Sequence, residues 1–189
     1  RLAEPLAPPG PVVRLVQPNA AQHLKWRRDM IELFYERQLS ASAAPADPRP
    51  DVIIWPEAAV PILLGMRPDL EAEIAAAGQG ALSLIGIRRY EEERWYNALA
   101  AFAPDGTLLA QYDKHHLVPF GEYMPGAPIL DRLGLSALTE GLVGAYEPGP
   151  GPALVSLPGL PAFQPLICYE AIFPHEILRG PARPGWLVQ

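Results

Sequence analysis

The sequence predicts an α/β fold: a mixed sheet covered by helices. Three observations carry it. Apolar, β-branched runs of strand length alternate with stretches of helical periodicity. Two pairs of strands lie close enough to be hairpins. Three chemically reactive residues each fall just beyond the C-terminal end of a strand, the edge at which sites collect in layered α/β proteins.

Taken in order, residues 11–16 read as a short buried strand. Residues 23–39 read as a helix, because Leu24, Ile31, Phe34 and Tyr35 recur on one face. The segment 40–50 (SASAAPADPRP) is a loop by composition. Residues 51–55 form an apolar strand stopped by Pro56, which leaves Glu57 just past its end. A helix is expected over 69–77, ended by Gly78, and then strands over 81–87 and 96–103. Asp105-Gly106 is a hairpin signal, followed by a strand over 108–112 that delivers Lys114 beyond its end. Residues 115–151 are rich in Gly and Pro, with one short helix expected near 129–133. That is long for a loop and marks a candidate lid. A strand over 162–167 ends at Cys168, a helix starts over 172–178, and a last strand begins at 186–189, so that the chain stops in mid-element.

The bulk properties fit this reading. The 189 residues are the size of one domain, long enough to bury about 70% of the surface of the unfolded chain. With 49% hydrophobic and 19% charged residues, a packed core is expected rather than disorder or a coiled coil. The 24 prolines and 16 glycines are dispersed among apolar runs, which excludes low complexity. A net charge of −6 without a Lys/Arg stripe argues against nucleic acid as a partner. No apolar run reaches the roughly 18 residues of a bilayer span, and the first residues lack the apolar centre of a signal peptide, so a soluble chain is expected. Residues 1–11, with Pro5, Pro8, Pro9 and Pro11, read as a Pro-rich tether, and 12–189 as the folded domain.

Chemistry is concentrated in a few residues. Cys168 is the single cysteine, which excludes an intrachain disulfide and a cysteine-only metal site. After Pro165-Leu166-Ile167 it reads equally as an inert core thiol or as a nucleophile; the polar Tyr169-Glu170 that follows puts it at a mouth. A strand-to-helix turn there would aim backbone N–H groups at an anion. A thiol of pKa about 8.5 needs a base or a neighbouring cation to react at neutral pH. Glu57 and Lys114 supply one of each: a carboxylate to take the proton, an ammonium to stabilise thiolate and oxyanion. Taken alone, Glu57 is also a solvated turn carboxylate and Lys114 a surface lysine. Glu122 could hold Lys114 in place, or be one more loop charge. His115-His116 invites a metal, but no further ligand stands at useful spacing, so no metal and no cofactor are expected and the pair is read as shaping the loop.

Trp55-Pro56-Glu57, Tyr112-Asp113-Lys114-His115-His116-Leu117 and Cys168-Tyr169-Glu170 together resemble the three signature segments of the nitrilase, or carbon-nitrogen hydrolase, superfamily. The resemblance implies an αββα sandwich and a Glu57-Lys114-Cys168 triad. Within the superfamily, the run from His116 to Pro125 (HLVPFGEYMP) and Val16-Gln17-Pro18-Asn19 followed by Leu24-Lys25-Trp26 resemble the apolipoprotein N-acyltransferase family.

That likeness implies an acyl chain taken from a membrane phospholipid onto Cys168 as a thioester, then passed to the N-terminal amine of a diacylglyceryl-cysteine apolipoprotein. It implies Glu57 as general base, Lys114 as oxyanion stabiliser, Glu122 as its support, Tyr169 and Glu170 beside the nucleophile, and Trp26 and Asn97 near the substrate path. The apolar loop 133–143 could contact acyl chains or simply pack. By the same likeness the domain sits on the periplasmic side of a bacterial inner membrane, between membrane segments absent here, and continues past Gln189. The chain is thus expected to be truncated at its C-terminus, and activity is expected of the intact protein. The competing readings are a soluble amidase using the same triad, told apart by phospholipid dependence, and a non-catalytic binding module, favoured if Cys168 proves unreactive.

Overall fold

The structure, a computed structural model, describes residues 10–21, 23–126, 132, 145–177 and 182–189. Its centre is a five-stranded sheet in the order β1 (Val13–Leu15), β2 (Val52–Ile54), β3 (Leu82–Glu91), β4 (Arg94–Phe102) and β5 (Leu108–Asp113). The first three strands are parallel and the last two antiparallel to their neighbours, so the sheet is mixed. Strands β6 (Phe163–Pro165) and β7 (Trp186–Val188) pair in parallel as a second sheet.

Alternation along the central strands separates two cores. Ile53, Ile85, Ile87, Ala98, Ala100 and Phe102 point one way, against Ile74 and Ala75 of α2 (Pro68–Ala77) and the partly buried Tyr35 and Leu39 of α1 (Arg28–Ala43). Val52, Leu84, Leu99 and Ala101 point the other way, against Phe163 and Val188 of the second sheet and Ile167 just beyond its first strand. A helical layer and two stacked sheets are therefore in place, and each fully buried aliphatic or aromatic side chain among them stabilises by about 1.5–3 kcal/mol.

Two elements differ from the sequence reading. Helix α1 starts five residues later than expected, because residues 23–26 close a turn on the Ala21 carbonyl instead. It then continues into the stretch that composition marks as a loop. There Gln38 donates to the Ala59 carbonyl, and Ser42 donates to Gln38 O while accepting the Trp55 indole N–H, both at 2.8 Å. Tertiary partners thus outweigh weak local propensity. Strands β3 and β4 also run further than expected, through Arg88-Arg89-Tyr90-Glu91, and turn at Glu92 and Glu93, both with positive φ. This is the twist a two-residue hairpin demands, made without the Asn-Gly signal that announces it.

Residues 1–9 of the tether expected over 1–11, the short helix near 129–133 and the apolar loop 133–143 lie outside the described residues, apart from Arg132. The helix expected from 172 is instead a 3₁₀ helix, Cys168–Ile172, followed by a turn through 177.

Candidate active site

The register brings three chain segments to one edge. Ile87 of β3 faces Ala98 of β4, and Ala98 faces Asp113 of β5. The residue after β5, Lys114, and the residue before Ala98, Asn97, therefore lie beside the C-terminal edge of β3, next to which β2 delivers Glu57.

Asn97 connects two of the segments. It is 5% exposed; its side-chain N–H donates to Glu57 Oε1 at 2.6 Å, and its carbonyl accepts the Lys114 amide at 2.8 Å. Glu57 approaches because β3 carries Gly86 directly beneath it. A Cβ at Gly86 would overlap the Pro56 carbonyl oxygen and stand 2.6 Å from Glu57 Cα. A glycine interrupting Leu84-Ile85-Gly86-Ile87 is the signal that could have located this close approach from sequence.

Lys114 is 1% exposed, and its ammonium donates to both oxygens of Glu122 at 2.8 Å, the pairing a buried cation requires. Glu122 also accepts the Val118 amide at 2.8 Å. Beside them Arg89 forks onto both oxygens of Asp113 at 3.1 and 2.7 Å, clamping the end of β5.

Cys168 is exposed and opens the 3₁₀ helix with φ of +50°, a left-handed conformation that is strained for a residue with a Cβ. Two residues on, Glu170 is 1% exposed and saturated. One oxygen accepts from the Tyr112 hydroxyl at 2.9 Å and the amides of His115 and His116 at 2.8 and 3.3 Å; the other accepts the Ile167 amide at 2.7 Å. Glu170 thus ties the Lys114 loop to the Cys168 turn. Burial pushes the Tyr112 phenol well above its ordinary range, and the Glu170 charge adds to this.

A cavity of about 280 Å³ has both Glu57 and Cys168 in its lining, with Leu99, Leu166, Ile167 and Val188 among its apolar walls. Lys114 is tied to this neighbourhood by its own backbone N–H on the Asn97 carbonyl and by the next two amides, His115 and His116, on the Glu170 carboxylate, while its side chain is turned to Glu122. Tyr169 lines a different hollow of about 520 Å³ with His116, Tyr123 and Tyr146. Trp26, 41% exposed, lines a third of about 110 Å³, which touches the first at Pro56. Its ring lies under the Arg88 guanidinium at 4.9 Å and the Lys25 ammonium at 5.4 Å. Lys25, not singled out by the sequence, donates to the Glu57 carbonyl at 2.8 Å. Burial lowers its pKa, while the Glu57 charge opposes the shift.

The sequence reading set metals aside for want of a third ligand beside His115-His116. The fold supplies Glu176, whose carboxylate meets both rings. Sixty residues of separation hid it.

A strand-end carboxylate, a buried lysine and a thiol on a strained turn thus stand near one another, and the comparison with known proteins shows the class to which such a chain belongs. The chain belongs to the carbon-nitrogen hydrolase family, whose model it matches over residues 13–183. It is 43% identical over 178 residues to an apolipoprotein N-acyltransferase of Allorhizobium ampelinum, and 40% identical over 179 residues to one of Brucella suis. Each alignment covers 89% of this chain and 34% of the relative, so the chain spans about a third of the length of those proteins. Among solved structures it is similar to an amidase of the nitrilase superfamily from Nesterenkonia AN1, at 15% identity and a TM-score of 0.51, over 91% of this chain and 62% of that one. That likeness establishes the nitrilase-type fold.

Proposed function

We propose that this chain is the catalytic portion of an N-acyltransferase that moves a fatty acyl chain from phospholipid, through a Cys168 thioester, to the N-terminal amine of a diacylglyceryl-cysteine apolipoprotein. The observation that carries this reading is the shared apolar cavity of Glu57 and Cys168, taken with the names of the two relatives above.

Cys168 Sγ attacks the ester carbonyl as Glu57 removes its proton. The carbonyl oxygen becomes an oxyanion, for which Lys114 offers the ammonium N–H that Glu122 does not take. Collapse breaks the ester C–O bond, and Glu57 returns the proton to the departing lysophospholipid oxygen, leaving the thioester. The amine of the apolipoprotein then attacks the same carbon, gives its proton to Glu57, and expels the thiolate as the amide forms. Apolar walls favour this second step over hydrolysis, because they exclude water while the thioester waits.

In this scheme Glu122 holds Lys114, Asn97 aims Glu57 rather than touching substrate, and Glu170 and Tyr169 shape the turn that presents the thiol. Trp26 borders the substrate path. No helix among the described residues is long and apolar enough to cross a membrane; the rest of a longer protein would hold this portion at the periplasmic face of a bacterial inner membrane.

Intact mass of the full-length protein after incubation with phospholipid vesicles and no acceptor tests the first step. A hydroxylamine-labile gain of one acyl group, absent in Cys168→Ala, is the expected result. No adduct from phospholipid, with turnover of small amides, would replace the proposal by a soluble amidase.

A further inference from the structure

The geometry points to a binding site for a divalent transition-metal ion of the zinc type, formed by His115, His116 and Glu176. Its donors are His115 Nε2, His116 Nδ1 and a Glu176 carboxylate oxygen. All three lie within 4.8 Å of one another. Glu176 Oε2 is 3.0 Å from His115 Nε2 and 3.3 Å from His116 Nδ1. A tetrahedral zinc ion with bonds of about 2.0–2.1 Å holds its ligand atoms about 3.3 Å apart, so the spacing already suits one.

The surroundings prepare these donors. The other nitrogen of His115, Nδ1, lies against Glu170 Oε1 and the Tyr112 hydroxyl. With Tyr112 giving its own hydrogen to Glu170, its hydroxyl oxygen accepts Nδ1–H of His115 and leaves Nε2 as the nitrogen facing Glu176, the arrangement that raises the basicity of a metal-bound imidazole. A metal ion placed between Nε2 and the carboxylate would be held by both. The His116 ring is stacked on Phe173 at 3.6 Å and 15°, which fixes the direction of Nδ1. All three residues are partly exposed, leaving a path in for the ion and a fourth position for water.

The site bridges two segments. His115 and His116 directly follow Lys114, and Glu176 lies eight residues after Cys168 in the turn beyond the 3₁₀ helix. A bound ion would therefore cross-link the loop carrying the lysine to the turn carrying the thiol, in parallel with the Glu170 contacts. Stabilisation that rises with free metal concentration follows, since only the folded chain brings the three donors together.

The test uses the intact protein in the Cys168→Ala background, so that the thiol cannot bind the metal. Zinc competition against a chromophoric chelator is expected to give one equivalent bound per chain, at least tenfold weaker in both His116→Ala and Glu176→Gln. Co²⁺ in place of zinc is expected to give the d–d bands of a four-coordinate nitrogen–oxygen site. That second reading comes from the parent protein and does not depend on either variant folding. Failure to bind zinc above the level of a His116→Ala/Glu176→Gln double variant, or undiminished binding in each single variant, would overturn the assignment and leave the cluster a hydrogen-bonded contact only.

Discussion

Glu57 and Glu170 are two carboxylates at the same site with opposite settings. Glu57 is exposed and, among the described residues, receives one side-chain hydrogen bond, from Asn97. Glu170 is buried and receives four, from three backbone amides and a phenol. A carboxylate whose oxygens accept from several donors has no lone pair to spare. One with a single partner, facing a cavity, keeps an oxygen free to take up a proton. The contrast supports the proposed division, proton transfer for the first and architecture for the second, the way environment divides roles between paired carboxylates.

The largest expected effect breaks the first half of that contrast. Glu57→Gln keeps the hydrogen bond from Asn97 possible but removes the proposed base. The rate of acyl-enzyme formation, followed by intact mass in single turnover, is expected to fall about 10²–10⁴-fold, with thermal stability changed by less than about 0.5 kcal/mol. A comparable loss of stability in this variant would erase the distinction.

Glu170→Ala acts on the other half. It strands buried donors on both sides of the turn, and a destabilisation of about 3–5 kcal/mol is expected. Amide hydrogen exchange reads it directly: His115 and Ile167 should lose protection first. Exchange unchanged at both would show that Glu170 is not the tie between the two segments.

Gly86→Ala should cost about 1–3 kcal/mol through overpacking beneath Pro56. It should also slow acyl-enzyme formation, because the added methyl displaces the Glu57 backbone. A full-rate variant would mean that Glu57 tolerates displacement.

The smallest effect sharpens the role of Asn97. Asn97→Asp removes the N–H donor to Glu57 Oε1 and sets a second carboxylate against it, so acyl-enzyme formation at fixed pH is expected to slow about tenfold, the worth of one hydrogen bond to a charged group. An unchanged rate would place Asn97 outside the environment of Glu57.

How much of this was legible in the sequence varies with the range of the interactions. Strand periodicity put Glu57, Lys114 and Cys168 beyond strand ends, and β2, β5 and β6 deliver them there, because alternation and a stopping proline are local signals. The length of α1 was not legible: it depends on Ser42 meeting Trp55 and Gln38 meeting Ala59, contacts that no local propensity encodes. The extension of β3 and β4 was hidden by Arg88, Arg89 and the glutamates around the turn, a charged run that reads as loop. In the site, the hydrogen bond from Asn97 to Glu57 spans 40 residues and the contacts from Glu176 to the histidines span 60 and 61, so residue type alone could nominate them but not join them.

The central claim, transfer rather than hydrolysis, is tested most directly by a chase. Intact protein acylated from phospholipid is mixed with a synthetic diacylglyceryl-cysteine peptide in water, and both products are measured by mass spectrometry. The expected result is loss of the acyl group from Cys168 matched by one N-acylated peptide per enzyme, with little free fatty acid. Release of the acyl group as free fatty acid, with the peptide unmodified, would contradict the account and make the same three residues those of a hydrolase.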